Sequence, residues 1–227
     1  MEEGGIFHLL NRGVEKRKIF LSNTDYVRFA HNLGDFNDKT NADQSYYVRR
    51  RQSKQPNDAV PAPKKKLVDV LCWALMPNHP HILVVEKEIG SAGVFSRKII
   101  GGYTMYFNEQ NKRSGVLFQG RTKIIRIEDD PHFVHLPFYI HTNPLDLFQP
   151  KWKENGVSDI EGAIKFLEGY RWSNLRDIVG VGNGEFAHLT NKKLFFEMYN
   201  TNEQKYKKEL RDWITSRSAD DSFKVFE

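Results

Sequence analysis

Residues 67–85, LVDVLCWALMPNHPHILVV, decide the fold. Leu67 to Met76 is dense in Val, Leu and Trp and suits a buried strand, and Ile82 to Val85 suits a second one across the tight Pro77-Asn78 pair, so the stretch reads as a hairpin. Working outward, Ile6 to Asn11 is a short apolar run closed by Asn11-Arg12-Gly13, a strand entering a turn. Ser22-Asn23-Thr24-Asp25 resembles a capping box, and Tyr26, Phe29, Ala30, Leu33 and Phe36 follow at helical spacing. Phe95, Ile99, Tyr103, Tyr106 and Phe107 mark a second helix, and Thr122 to Ile127 returns to strand character. Strands and helices joined by hairpin-like connections predict an α+β fold, a compact sheet covered by helices on one face.

Asp129-Asp130-Pro131 is a helix start, because an aspartate cap followed by proline supplies an acceptor where backbone donors are orphaned, and Asn143-Pro144 is the matching stop. Ser158 with Glu161 opens a further helix, and Asn191 to Glu227 reads as charged, partly amphipathic helix with a frayed end. From 43 to 66 the pattern dissolves into polar residues and clustered bases, including Arg49-Arg50-Arg51 and Lys64-Lys65-Lys66. Composition favours a solvated loop there over a dedicated DNA-binding arm. The expected division is a domain at 1–150, carrying that insertion, and a helical extension at 151–227.

The 227 residues suffice for one full-sized domain plus an extension without disulfide staples. Cys72 is the sole cysteine, so neither a disulfide framework nor a cysteine-based metal site is available within one chain, and a reducing, cytoplasmic setting is expected. The longest apolar stretch, Val70 to Met76, falls far short of the roughly 20 residues that span a bilayer, and Glu2-Glu3 ahead of a short apolar patch does not resemble a secretory signal. A net charge of +5 with a pI near 9.1 favours a polyanionic partner, since cations that neutralise phosphates gain affinity by counterion release.

Three constellations can carry chemistry. His79-Pro80-His81 puts two imidazoles on one side of an extended chain, able to converge on one ion; a polar sheet face is the bland alternative. Tyr139 and Asn143 lie four apart on the predicted helix and share a face, so a phenol that can attack phosphorus stands beside an amide oxygen that can ligate a hard cation. Taken alone, a helical tyrosine is more often a packing residue. His132 and His135 extend that stripe and receive no catalytic role, while Pro137 interrupts it. The run Phe118-Gln119-Gly120-Arg121-Thr122-Lys123 reads either as a phosphate contact, with glycine allowing close backbone approach, or as an ordinary turn entering an exposed strand.

Together these pieces match a known order. Asn11-Arg12-Gly13 after a short strand, Met76-Pro77-Asn78-His79-Pro80-His81, Leu117-Phe118-Gln119-Gly120-Arg121, Tyr139-Ile140-His141-Thr142-Asn143-Pro144 and Tyr170-Arg171-Trp172-Ser173 follow one another over about residues 5 to 180. The chain thereby resembles the single-tyrosine HUH transposases, and among them the REP-associated tyrosine transposases. The resemblance implies a ferredoxin-like antiparallel sheet with the histidine pair on a central strand and the tyrosine on a neighbouring helix. It also implies a divalent ion, Mg2+ or Mn2+, held by His79, His81 and Asn143, with Tyr139 as the nucleophile. Two residues depart from the family pattern: Pro80 stands where a bulky apolar residue is usual, and Pro137 precedes the tyrosine.

The expected reaction is cleavage and rejoining of single-stranded DNA through a 5′-phosphotyrosine, on hairpin-forming repeat DNA, by a monomer rather than a dimer and away from membranes. Phosphates would meet Arg12, Arg121 and Lys123, and unpaired bases would stack on aromatics. The segment after Pro150, with Trp172, Lys205, Lys207 and Lys208, is either a packing extension or a grip on the DNA stem. Two other readings use the same residues: a DNA-binding regulator that has lost catalysis, favoured by Pro80, and a metal-dependent hydrolase that makes no use of the tyrosine.

Overall fold

The computed structural model describes residues 4–40, 65–182 and 184–216. The basic insertion at 43–66, apart from its last two residues, and the frayed end expected after 216 lie outside the described residues. Four strands, β1 (Ile6–Leu10), β2 (Val68–Met76), β3 (His79–Glu86) and β4 (Lys123–Arg126), form one antiparallel sheet in the order β2-β3-β1-β4. Helix α1 (Asn23–Asp35) connects β1 to β2, and α2 (Ser91–Gln110) connects β3 to β4. This is the interleaved β-α-β pair of a ferredoxin-like sheet, as expected. The helices that follow are α3 (Asp130–Thr142), α4 (Leu145–Phe148), α5 (Trp152–Asn155), α6 (Ile160–Gly169), α7 (Leu175–Ile178), α8 (Lys192–Met198) and α9 (Glu203–Ser216). None among the described residues is long and apolar enough to cross a membrane.

Compact packing divides the chain into two units, each discontinuous in sequence: Met1–Asp69, Pro77–His79 and Val84–Ile125 in one, Val70–Met76, Pro80–Leu83 and Arg126–Glu227 in the other. In the first, the capping box at Ser22 is complete: its hydroxyl accepts from the Asp25 N–H, and the Asp25 carboxylate accepts from the Leu21 and Ser22 N–H groups at 2.8 and 2.9 Å. Buried Phe29, Ala30 and Leu33 form the inner stripe of α1, and Ala92, Phe95, Ile99, Tyr103 and Phe107 recur every three or four residues along α2. Phe29 and Tyr103 meet at 5.1 Å edge to face, and Gly102 admits the Phe36 ring, which would lie 2.3 Å from any added Cβ.

In the second unit α3 begins at Asp129, whose carboxylate accepts from the His132 N–H at 2.7 Å, with Pro131 in the first turn. The helix runs unbroken through Pro137 to Thr142, and every residue from Leu136 to Thr142 is buried. Its cover is aromatic: Phe138 stacks on Tyr206 at 5.0 Å and on Trp213 at 5.5 Å, and Phe133 stacks on Tyr199 at 4.3 Å. The expected single helix from Asn191 is two, α8 and α9, and the helix expected to open at Ser158 opens instead at Asp159, whose carboxylate accepts from the Gly162 N–H. The Ser158 hydroxyl is turned to Gln149. Lys207 pairs with Glu168 at 2.6 Å, Lys205 donates to the Asn200 carbonyl, and Trp172 is buried under the Arg171 guanidinium. Those contacts favour the packing reading of this segment.

The edge strand β2 is buried at all nine positions, and its outward backbone groups from Leu71 to Leu75 meet the stretch Tyr170 to Asn174. Leu75 N–H donates to the Trp172 carbonyl at 2.8 Å, Trp73 N–H to Asn174 Oδ1 at 2.8 Å, and the Tyr170 hydroxyl to the Leu75 carbonyl at 2.8 Å. Ser173 bridges Ala74. This register also explains Pro80. Leu75 turns its N–H away from β3, so the residue opposite it across the two-residue turn belongs to a pair that exchanges no hydrogen bonds, and Pro80 removes none from the hairpin. The strand accordingly begins at His79 rather than at Ile82, and it is continuous through the proline.

Candidate functional site

In the first unit three sequence motifs are tied by their backbones. Gly13 N–H donates to the Asn78 carbonyl at 2.9 Å, Val14 N–H to the Leu117 carbonyl at 3.0 Å, and Gln119 N–H to the Arg12 carbonyl at 2.9 Å. The Asn11 side chain reaches Thr122 Oγ1 at 3.2 Å. Ile19 N–H donates to the Pro77 carbonyl at 2.8 Å, which holds the hairpin turn from the other side. Gly13 is there for space, since a Cβ would fall 2.3 Å from the Arg17 carbonyl. Gly120 is different: a Cβ at that position would meet no atom within 4 Å among the described residues. Arg12 is half-buried, whereas Arg121, in the loop before β4, and Lys123, the first residue of β4, are exposed.

His79 is half-buried at the start of β3, with Nδ1 2.6 Å from Asn78 Oδ1. Asn78 Nδ2 donates to the Lys16 carbonyl, so Oδ1 is the atom facing the ring, Nδ1 carries the proton and the lone pair lies on Nε2. His81, two residues on, shares that face of the strand by alternation.

In the second unit His81 is 1% exposed and meets Tyr139 edge to face, ring centres 5.5 Å apart at 90°. Tyr139 is 1% exposed. Asn143 caps α3 one turn later, and both its N–H and its Nδ2 donate to the Tyr139 carbonyl, at 3.1 and 3.0 Å. That bond turns Oδ1 the other way, toward Lys153, whose ammonium lies 3.4 Å from Oδ1, 3.7 Å from Asp146 and 5.0 Å from the centre of the Tyr139 ring. The structure thus brings His81, Tyr139 and Asn143 together within one unit. Among the described residues no group of three or more His, Cys, Asp or Glu side chains could hold a metal. The donors present, imidazole nitrogen and a carbonyl oxygen of fixed orientation, suit a borderline-to-hard divalent ion.

Sequence reasoning missed Lys153, because one lysine in a four-residue helix carries no local signal. It also gave His141 no role. That ring is fully buried: Nδ1 accepts from the Tyr206 hydroxyl at 2.7 Å, Nε2 donates to Asn174 Oδ1 at 3.0 Å, and Cys72 Sγ lies 3.2 Å from Nε2. Asn174 Nδ2 donates to the Leu71 carbonyl, which fixes the amide and with it the histidine tautomer. Burial lowers the imidazole to about 4 and pushes the Cys72 thiol and Tyr206 phenol up, so all three are neutral near pH 7. His141 is a structural pin joining β2, α3, α7 and α9. His132 is likewise lowered by burial, against the pull of Asp129.

The sequence matches no family model and no curated protein. A solved structure of a REP-associated tyrosine transposase bound to a REP hairpin is similar to this chain at 14% identity and a TM-score of 0.44, over 82% of this chain and 85% of the other.

Proposed function

We propose that the chain cuts and rejoins single-stranded DNA as a transposase-like strand transferase, with Tyr139 as nucleophile and hairpin-forming repeat DNA as substrate. The observation that carries this reading is the edge-on approach of His81 to Tyr139 at 5.5 Å, on a helix whose end supplies the Asn143 amide oxygen. The ordered motifs between residues 5 and 180 support it independently.

The Tyr139 oxygen attacks the scissile phosphorus and loses its proton, the bond from phosphorus to the 3′ oxygen breaks, and that oxygen takes up a proton. The product is a 5′-phosphotyrosine and a free 3′ hydroxyl; rejoining is the reverse with another 3′ hydroxyl. Storing the bond in the ester removes any need for a nucleotide cofactor. A divalent ion, Mg2+ or Mn2+, held by His79, His81 and Asn143 would supply Lewis-acid charge to a non-bridging phosphate oxygen. Asn78 fixes His79 for such a role by engaging Nδ1. Arg12, Arg121 and Lys123 supply phosphate contacts, and a monomer suffices for the chemistry.

Tyr139 is 1% exposed, so a phosphodiester reaches its oxygen only after neighbouring side chains move. This burial favours the second reading, a regulator that binds DNA without cutting it. Labelled hairpin-bearing single-stranded DNA incubated with Mn2+ and run on a denaturing gel separates the readings. A covalent adduct with wild type and none with Tyr139→Phe is expected. Binding without adduct in both supports the regulator, and cleavage surviving in the Phe variant means that activated water does the work.

A further inference from the structure

We infer that Lys153 is a positioning residue that sets how tightly the site takes a divalent cation, by holding the Asn143 ligand oxygen in the ion's absence and yielding it on loading. The inference rests on the reading of Asn143 as a metal ligand. Lys153 lies beyond the end of α3 and the short α4, in the four-residue helix α5, and its side chain is only 17% exposed. Its neighbour Trp152 is fully buried and anchors this helix, so the lysine is delivered to the site rather than left to sample solvent. The ammonium has three attractions there: the Asn143 oxygen at 3.4 Å, the face of Tyr139 at 5.0 Å and the Asp146 carboxylate at 3.7 Å.

The sign of the effect follows from the hydrogen bonds. Asn143 does not depend on Lys153 for its orientation, because Nδ2 is fixed on the Tyr139 carbonyl at 3.0 Å. Removing the ammonium therefore leaves the oxygen where it is. What disappears is a positive charge within a few ångströms of any cation bound to that oxygen, and at such separations the repulsion of a divalent ion by an ammonium amounts to about tenfold in affinity even at the dielectric constant of water. Asp146 gives the displaced ammonium a second partner within a side-chain rotation, which limits the penalty. A lysine so placed also lies over the ring that the phosphodiester must reach, so one displacement serves both loading and access.

The test is Mn2+ binding to the full chain without DNA, read by the electron paramagnetic resonance of the free ion, with circular dichroism to confirm folding. Lys153→Met is expected to tighten binding about fivefold to tenfold, with Lys153→Gln as the alternative neutral variant, and Lys153→Arg to keep wild-type affinity. Asn143→Ala weakens binding, and adding Lys153→Met to it should gain less than Lys153→Met gains in the wild-type background, since the competition for the shared oxygen is gone and only the through-space repulsion is left to relieve. Unchanged or weaker binding in both neutral variants, or an equal gain without Asn143, overturns the inference alone. Wild type that takes up no Mn2+, or uptake indifferent to His81→Ala, overturns the metal reading beneath it.

Discussion

Replacing Asn174 with alanine should be among the most damaging single changes in the second unit, although the residue touches no proposed substrate. Its side chain is fully buried and serves four partners: Trp73 N–H at 2.8 Å, the His141 ring at 3.0 Å, the Leu71 carbonyl at 3.1 Å and the Thr190 hydroxyl at 3.2 Å. Alanine strands three of these inside the protein, the Trp73 N–H, the Leu71 carbonyl and the His141 Nε2–H. A buried group left without a partner costs about 1–3 kcal/mol, and water entering the small void recovers part of it, so about 4 kcal/mol is expected in all. That is a large share of the roughly 5–15 kcal/mol by which a domain is stable. Urea titration of wild type and Asn174→Ala, followed by tryptophan fluorescence, reads the difference, with Thr190→Ala as a control expected to cost under about 1 kcal/mol because that bond is only partly buried. A loss below about 1 kcal/mol in Asn174→Ala at unchanged m would refute the network described around His141.

Other outcomes follow from single features. His141 holds its folded value at about 4, below the ordinary 6.5, so the unfolded chain binds the extra proton first. Stability without added metal is therefore full above pH 6.5 and falls by about 3 kcal/mol toward pH 4, beyond the loss in a His141→Gln variant, which urea midpoints across that range would measure. Arg121→Ala and Lys123→Ala should each weaken single-stranded DNA binding without regard to sequence and lower the slope of log affinity against log salt by about 0.7, as read by fluorescence anisotropy. Gly13→Ala keeps an allowed backbone angle but sets a methyl group against the Arg17 carbonyl, and should cost about 2 kcal/mol in thermal unfolding while loosening the turn before His79.

What could be read from the sequence is what is decided locally. Ser22 through Asp25 and Asp129 through Pro131 announce helix starts because cap, acceptor and first-turn residues lie within a few positions of one another. The strand pair around Pro77-Asn78 was legible for the same reason. The start of β3 at His79 was not, because a proline reads as a break until pairing shows that its missing N–H faces away from β2. The choice of Asp159 over Ser158 was equally hidden: both are good caps, and Gln149, nine residues earlier, engages the serine. At the candidate site Tyr139, Asn143 and their helix are visible as a spacing, but the burial of Tyr139 and the arrival of Lys153 depend on chain returning from further along, which no short motif encodes.

The strip from Tyr170 to Asn174 means that the sheet's outermost strand is never naked. A fragment ending at Pro150 would bare the Trp73 and Leu75 amide hydrogens on a long apolar ribbon, an invitation for the same ribbon of another molecule to dock alongside. Such a fragment should precipitate or form strand-exchanged pairs, and a short peptide carrying residues 170–174 supplied in trans should keep it dispersed.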